Sequence, residues 1–124
     1  YKLSVMVGFK NNALCNQHAY LGNISDYVQE MAPSRTFAFF SEIQSLYEHG
    51  LIRGGNLNNA LVIIDKEVSA QELENLSKLF HKKAGKLTIE NGVLNNVKMH
   101  FPNEPARHKL LDLMGDLALL GRPI

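Results

Sequence analysis

The sequence predicts an α+β fold, a two-layer domain in which mixed β-strands pack with helices. Apolar and polar residues alternate from Leu3 to Phe9, as in a half-buried strand. A continuous apolar run from Leu61 to Ile64 is typical of a buried strand. Elsewhere apolar residues recur every three or four positions, which favours helices. The combination of both periodicities in one chain indicates the α+β class.

The elements of the first half follow from local signals. The turn signal Asn11-Asn12 predicts that a strand from about Ala13 to Leu21 pairs back on the first strand. Asn23 or Ser25 is expected to cap a short helix that Pro33 closes.

A longer helix is predicted between Ser34 and Gly50. Either Ser34 or Thr36 would be its N-cap, and Gly50 would follow its last turn. Its apolar residues at helical spacing are Phe37, Phe40, Ile43, Leu46 and Tyr47.

The second half predicts a further helix, a hairpin and a terminal helix. Ser69 and Glu72 have the spacing of a capping box. Strands are expected at Lys86–Ile89 and Val93–Phe101, with Asn91-Gly92 as the hairpin turn between them. The last helix has Pro105 in its first turn, and Gly121 and Pro123 end it.

Composition limits the function classes. The length of 124 residues suits one domain over residues 1–124. A net charge of +1 gives no field for nucleic acid, and no apolar run is long enough to span a membrane. A single cysteine, Cys15, fits a reducing cytoplasm.

The terminal helix carries the most specific chemistry. A rotation of about 100° per residue places His108, Asp112 and Asp116 on one side of it. An imidazole and a carboxylate one turn apart can bind one metal ion. The alternative interpretation is a surface hydrogen bond or a helix-terminal ion pair.

Three motifs occur in order along the chain: Arg35-Thr36-Phe37, Gly54-Gly55, and Arg107-His108-Lys109-Leu110-Leu111-Asp112 with Gly115-Asp116-Leu117. Together they resemble the UDP-3-O-acyl-N-acetylglucosamine deacetylases, the zinc amidases of lipid A synthesis. The resemblance covers the second of the two domains in that family and its C-terminal helix. The segment from Asp65 to Phe101 is longer than in the commoner members and resembles the variety in which the deacetylase is fused to a hydroxyacyl-carrier-protein dehydratase, a multifunctional enzyme.

The resemblance implies that His108 and Asp112 bind Zn²⁺. A third ligand and the general base would come from the first domain, which this sequence does not contain, so the isolated chain is expected to be inactive. By the same resemblance, Asp116 orients a further catalytic histidine and Lys109 contacts the substrate, UDP-3-O-acyl-N-acetylglucosamine.

The resemblance also implies roles in the middle of the chain. Thr36 would help to hold the oxyanion and Phe37 would touch the nucleotide-sugar. A βαβ-type insert would form a hydrophobic passage for the acyl chain, although core packing is an alternative for each of its residues. The residues in that stretch are Phe39, Phe40, Ile43, Ile52, Gly55 and Ala60.

Two other function classes stay open. A non-enzymatic module could bind an acyl group or a nucleotide-sugar without zinc, and a structural domain would do neither. The row of His108, Lys109, Asp112 and Asp116 favours the enzyme, because a binding module has no need of it.

Overall fold

A computed structural model describes residues 2–9, 14–81, 87–94 and 97–122 of the chain. It confirms the α+β class, with strands in two sheets and four α-helices among these residues. The predicted turn at Asn11-Asn12 and the helix-ending Pro123 lie outside the described residues. None of the helices in the described ranges has the length and apolar character needed to cross a membrane.

Short strands and helices are interspersed along the chain. A 3-10 helix at Ile24–Asp26 precedes the first α-helix. The elements are β1 (Leu3–Val7), β2 (Gln17–Leu21), α1 (Tyr27–Glu30), β3 (Thr36–Phe39), α2 (Phe40–Glu48), β4 (Ala60–Ile63), α3 (Ala70–Leu79), β5 (Ile89–Glu90), β6 (Val93–Leu94) and α4 (Glu104–Ala118).

The chain divides into two compact units. The first takes residues 2–9, 14–35 and 99–122 of the described part, and the second takes residues 36–81, 87–94 and 97–98. The prediction that residues 1–124 form one domain stays a prediction.

The first unit is an antiparallel β1–β2 ribbon covered on one face by α4. Leu3 pairs with Leu21 and Val7 with Gln17, so the alternating apolar side chains of both strands share one face. That face packs on α4, whose Leu110 is fully buried. A two-stranded ribbon is only marginally stable in water, so its stability depends on this helix.

The second unit contains a four-stranded sheet in the order β3-β4-β6-β5. β3 and β4 are parallel, with Thr36 opposite Ala60 and Phe39 opposite Ile63, and α2 is the crossover between them. The predicted βαβ insert is therefore present. The remaining strands are joined by a hairpin whose turn residues Asn91 and Gly92 both have positive φ, as the sequence predicted.

The N-terminus of α2 is capped by a residue distant in sequence. The N-cap position is Phe39, which offers no side-chain acceptor. Asp65, just beyond β4, accepts hydrogen bonds from the backbone N–H of Ser41 at 3.0 Å and from the Ser41 hydroxyl. Burial raises the pKa of Asp65, but the hydrogen bonds from Ser41 outweigh it and hold the pKa below its usual value.

The predicted capping box of α3 is confirmed. Ser69 Oγ accepts from the Glu72 N–H at 3.3 Å, and the Glu72 carboxylate accepts from the Ser69 N–H at 2.8 Å. Lys66 Nζ lies 2.6 Å from Glu72 Oε1. The hydrogen bond from Lys66, followed by those from Ser69, lowers the pKa of Glu72 to about 2.

The predicted start of the second helix was wrong. Thr36–Phe39 is a strand, α2 begins at Phe40, and neither Ser34 nor Thr36 caps it. Phe37 and Phe40 have helical spacing, but Phe37 and Phe39 also alternate as in a strand, and pairing with β4 decides between the two.

Three predicted strands are shorter than expected. The second strand is Gln17–Leu21, and the Ala13 end of its predicted range lies outside the described residues. The strand expected at Lys86–Ile89 appears as Ile89–Glu90, and Lys86 is likewise not described. Of the strand expected at Val93–Phe101, the structure has Val93–Leu94; positions 95 and 96 lie outside the described residues, and residues 97–101 are not in a strand.

Replacing the distant cap of α2 should destabilise the second unit. In Asp65→Ala, the Ser41 N–H loses its acceptor, and we expect the free energy of unfolding to fall by about 1 kcal/mol. Urea unfolding followed by circular dichroism measures this change. Glu67→Ala removes an exposed carboxylate two residues away and is expected to be neutral; equal losses in both variants would contradict the capping role.

The capping box should make stability depend on acid. Because the folded-state pKa of Glu72 is about 2 against an ordinary 4.5, its contribution is present above pH 4.5 and is lost as pH falls toward 2. Glu72→Gln should therefore reduce the pH dependence of the free energy of unfolding between about pH 2 and pH 4.5, measured by urea unfolding at a series of pH values. Glu74→Gln, on the same helix and paired with Lys78, is the control and should keep the wild-type slope.

Candidate metal centre and apolar cavity

The rotation of α4 about its axis is set by its buried face. Ala106 and Leu110 are fully buried against Ala19, Leu21 and Met31 of the first unit. A residue two positions from a buried one lies about 200° around the helix. His108, between Ala106 and Leu110, is therefore turned away from this core.

His108 is held by a backbone carbonyl. Its Nδ1 lies 3.1 Å from the carbonyl oxygen of Ser34. A carbonyl oxygen only accepts, so Nδ1 carries the hydrogen, and the neutral ring keeps its lone pair on Nε2. The side chain is 18% exposed, and Nε2 lies 3.5 Å from Asp112 Oδ1. The ring is thus held with Nε2 toward the Asp112 carboxylate.

Asp112 is shared between two neighbours on the same helix. Oδ1 faces His108, and Oδ2 accepts from Lys109 Nζ at 3.0 Å. The Asp112 side chain is 42% exposed, so the pair is open to solvent. The structure therefore brings His108, Lys109 and Asp112 together. Asp116 is exposed on the next turn, and its carboxylate has no hydrogen bond or ion pair with the other described residues.

The donor set of His108 and Asp112 fits zinc. Tetrahedral zinc with bonds of about 2.0–2.2 Å separates neighbouring donors by about 3.3–3.6 Å. The 3.5 Å between Nε2 and Oδ1 falls in this range, with one nitrogen and one oxygen donor. Within the described ranges, no group of three or more His, Cys, Asp and Glu side chains is arranged to hold a metal ion. These two residues would supply two ligands of a site that takes at least one more.

A buried carboxylate lies one turn before His108. Glu104 is fully buried and accepts from the Arg35 guanidinium, with Nε at 2.8 Å and Nη2 at 3.1 Å. It also accepts from the backbone N–H groups of Arg35 at 3.0 Å and His100 at 2.8 Å. Burial raises the pKa of Glu104, but the hydrogen bonds from Arg35 and then His100 outweigh it, so the pKa stays below its usual value.

The second unit contains an apolar cavity of about 260 Å³ beside the β3–α2–β4 motif. Of the residues predicted to form an acyl passage, Ile43, Ile52, Gly55 and Ala60 line it. Thr36 and Phe37, expected to contact the substrate, line it as well, and the Cβ that an alanine would place at position 55 would lie 2.8 Å from Ile52 Cγ2.

Two predicted passage residues are placed differently. Of the described residues, neither Phe39 nor Phe40 lines this cavity. Phe40 is buried in the core and borders a separate cleft between α2 and α3. Phe39 makes an edge contact with Phe37, with ring centroids 6.2 Å apart. Their roles in acyl binding stay predictions.

Several residues of both sites were not predicted from the sequence. Leu57 and Val62 line the cavity, and their apolar character between Gly55 and Ile63 was the available signal. Glu104 and the Ser34 carbonyl were also missed. A glutamate inside an apolar helix start is a signal, but its partner Arg35 lies 69 positions away.

The family model described as UDP-3-O-acyl N-acetylglycosamine deacetylase matches residues 1–84 and 83–124. The chain is 44% identical over 126 residues to the bifunctional enzyme LpxC/FabZ of Chlorobaculum tepidum, covering 100% of the chain and 27% of that protein. It is 40% identical over 95 residues to the UDP-3-O-acyl-N-acetylglucosamine deacetylase of Chlamydia felis, covering 77% of the chain and 25% of that protein.

A similar match is found to the bifunctional enzyme LpxC/FabZ of Porphyromonas gingivalis, at 44% identity over 124 residues, 100% of the chain and 27% of that protein. The chain thus spans about a quarter of the length of the curated relatives it matches.

Proposed function

The chain belongs to the UDP-3-O-acyl N-acetylglycosamine deacetylase family, and on this premise we propose that it contributes to a zinc-dependent amide hydrolase. The reaction proposed is removal of the N-acetyl group from UDP-3-O-acyl-N-acetylglucosamine in lipid A biosynthesis. The observation that carries the proposal is the His108–Asp112 pair, with its donors 3.5 Å apart and open to solvent. A module that only binds an acyl group has no use for this pair.

The residues of α4 supply the ligand side of this chemistry. An ion bound there offers Lewis acidity toward an amide carbonyl and a lowered pKa of bound water, about 7. His108 presents its Nε2 lone pair because the Ser34 carbonyl occupies Nδ1. Asp112 presents Oδ1 because Lys109 holds Oδ2. Lys109 is also proposed to contact the substrate, and Asp116 to orient a further histidine.

The second unit supplies the acyl-binding side. An apolar cavity suits a hydrocarbon chain, since each buried methylene contributes about 0.8 kcal/mol. Thr36 lines the same cavity and is exposed, so its hydroxyl is available to a ligand there. We assign Thr36 as a hydrogen-bond donor to the oxyanion, a role worth about 3–4 kcal/mol in well-studied enzymes. Phe37, also on the lining, is assigned to the sugar nucleotide.

Loss of either zinc ligand should abolish both metal binding and activity. In the full-length protein, we expect His108→Gln and Asp112→Asn to lower deacetylation by more than about 100-fold, more than an outer-shell change costs. Zinc content by mass spectrometry should fall in parallel.

His49→Gln is the matched control, because the His49 ring also contacts a backbone carbonyl, that of Ser45 at 2.7 Å, but on α2. It should keep wild-type zinc and turnover. Near-normal zinc and turnover in His108→Gln would overturn the proposal, and acyl binding without zinc in all variants would favour a binding module.

The acyl-chain role of the cavity is tested by two adjacent glycines. In Gly55→Ala, the new methyl lies 2.8 Å from Ile52 Cγ2 and forces this side chain to move, whereas Gly54→Ala meets nothing within 4 Å. We expect Gly55→Ala to lower kcat/KM about fivefold for long-chain substrates, equivalent to about 1 kcal/mol of overpacking. Activity on short-chain substrates should be unaffected, and Gly54→Ala, which also lines the cavity but displaces no side chain, should lower kcat/KM for long-chain substrates less. Identical chain-length profiles for the two variants would contradict the assignment.

A further inference from the structure

The carbonyl that holds His108 belongs to a peptide group that is bonded on both edges. The Ser34 carbonyl accepts from His108 Nδ1 at 3.1 Å. The N–H of the same peptide group, that of Arg35, donates to Glu104 Oε1 at 3.0 Å. A peptide group is planar and stiff, so fixing its N–H also fixes the direction of its carbonyl.

The two side chains that grip this peptide group lie one turn apart on α4. Glu104 precedes His108 by four residues, so their side chains lie on neighbouring turns of the same helix face. Helix, carboxylate, peptide group and imidazole thus close a ring of contacts. The orientation of His108 therefore depends on the acceptor at position 104.

Glu104 is suited to anchor this ring. Its carboxylate is fully buried, while the Arg35 side chain is 15% exposed, and the guanidinium contacts it through both Nε and Nη2. The His100 N–H adds a further bond, from the segment just before α4, at 2.8 Å. A carboxylate with this many partners has little freedom to rotate.

We propose that Glu104 is a positioning residue for His108. By fixing the Ser34–Arg35 peptide group, it holds the imidazole in the Nδ1–H tautomer with Nε2 directed at Asp112. The tautomer part rests on the contacts of the first unit alone. The consequence for metal binding rests on the proposed function, in which His108 is a zinc ligand, and follows because outer-shell partners of ligand histidines set their orientation.

The variants are chosen so that an effect on the orientation of His108 can be distinguished from a general loss of protein stability. Glu104→Leu removes the acceptor but also takes the buried carboxylate away from the Arg35 guanidinium, and it is expected to fold poorly. The double variant Glu104→Leu/Arg35→Met replaces the ion pair with apolar side chains, a change that is often neutral or stabilising. The double variant keeps the backbone N–H of residue 35 but removes the carboxylate that accepts from it. It is therefore the variant that tests the positioning role.

Two single variants serve as controls. Arg35→Lys keeps the carboxylate at position 104 and therefore the anchor of the peptide group. Glu30→Gln removes a different glutamate–arginine contact to α4, that between Glu30 Oε2 and Arg107 Nη1 at 2.6 Å. Neither change touches the acceptor of the Arg35 N–H.

The first readout needs no metal. Nitrogen-15 NMR of labelled histidine in the metal-free full-length protein, at a pH where His108 is neutral, reports which ring nitrogen carries the hydrogen. We expect Nδ1–H in the wild type and both controls, and a mixture with Nε2–H in the double variant. A double variant that keeps His108 wholly in the Nδ1–H tautomer overturns the inference.

The second readout is zinc affinity, measured by competition with a chelator. We expect it to fall about 10- to 100-fold in the double variant and to be unchanged in both controls. A folded double variant with wild-type affinity would overturn the link from Glu104 to the metal. If the wild-type protein binds no zinc, the proposed function fails, and the tautomer measurement still decides the role of Glu104.

Discussion

The burial of one face of α4 against the β1–β2 ribbon is the constraint on which the candidate metal centre depends. Ala106 and Leu110 have no exposed surface, and they pack on Ala19 and Leu21. A helix fixed at two successive turns cannot rotate about its axis, so the direction of each side chain between those turns is set. The burial of this face therefore turns His108 toward the side on which the Ser34 carbonyl lies, 3.1 Å from Nδ1.

The second unit meets a comparable requirement by different means. A parallel strand pair needs a crossover, and α2 provides it with a distant cap instead of a local one. Asp65 lies two positions beyond the end of β4. The strand that pairs with β3 therefore also positions the carboxylate that caps the N-terminus of α2. The cavity beside this motif is thereby lined from strand, helix and loop of one tightly connected element.

How much could be predicted depended on how far apart the interacting residues lie in sequence. The capping box of Ser69 and Glu72 spans three residues and was predicted, as was the Asn91-Gly92 turn, whose positive φ values are a local property. The strand Thr36–Phe39 was missed because its partner lies 24 residues away, and short apolar runs fit either periodicity. The His108–Asp112 row could be read from helical spacing, but the Glu104–Arg35 contact could not.

Burial varies along α4, and this variation explains why the His108–Asp112 spacing could be predicted from the sequence but the Glu104–Arg35 contact could not. In the proposed function Asp112 is a metal ligand that the ion and a substrate have to reach, and its side chain is 42% exposed, so close packing does not hold it. The other residue of the pair, His108, is held by an immobile neighbour, because Glu104, with no exposed surface, fixes the peptide group whose carbonyl contacts the ring. The positions of His108 and Asp112 follow from the spacing of residues along their own helix. The contacts of Glu104, in contrast, depend on a residue that is distant in sequence. The sequence of α4 therefore predicts the His108–Asp112 pair, whereas the contacts that hold His108 in place become apparent only in the folded structure.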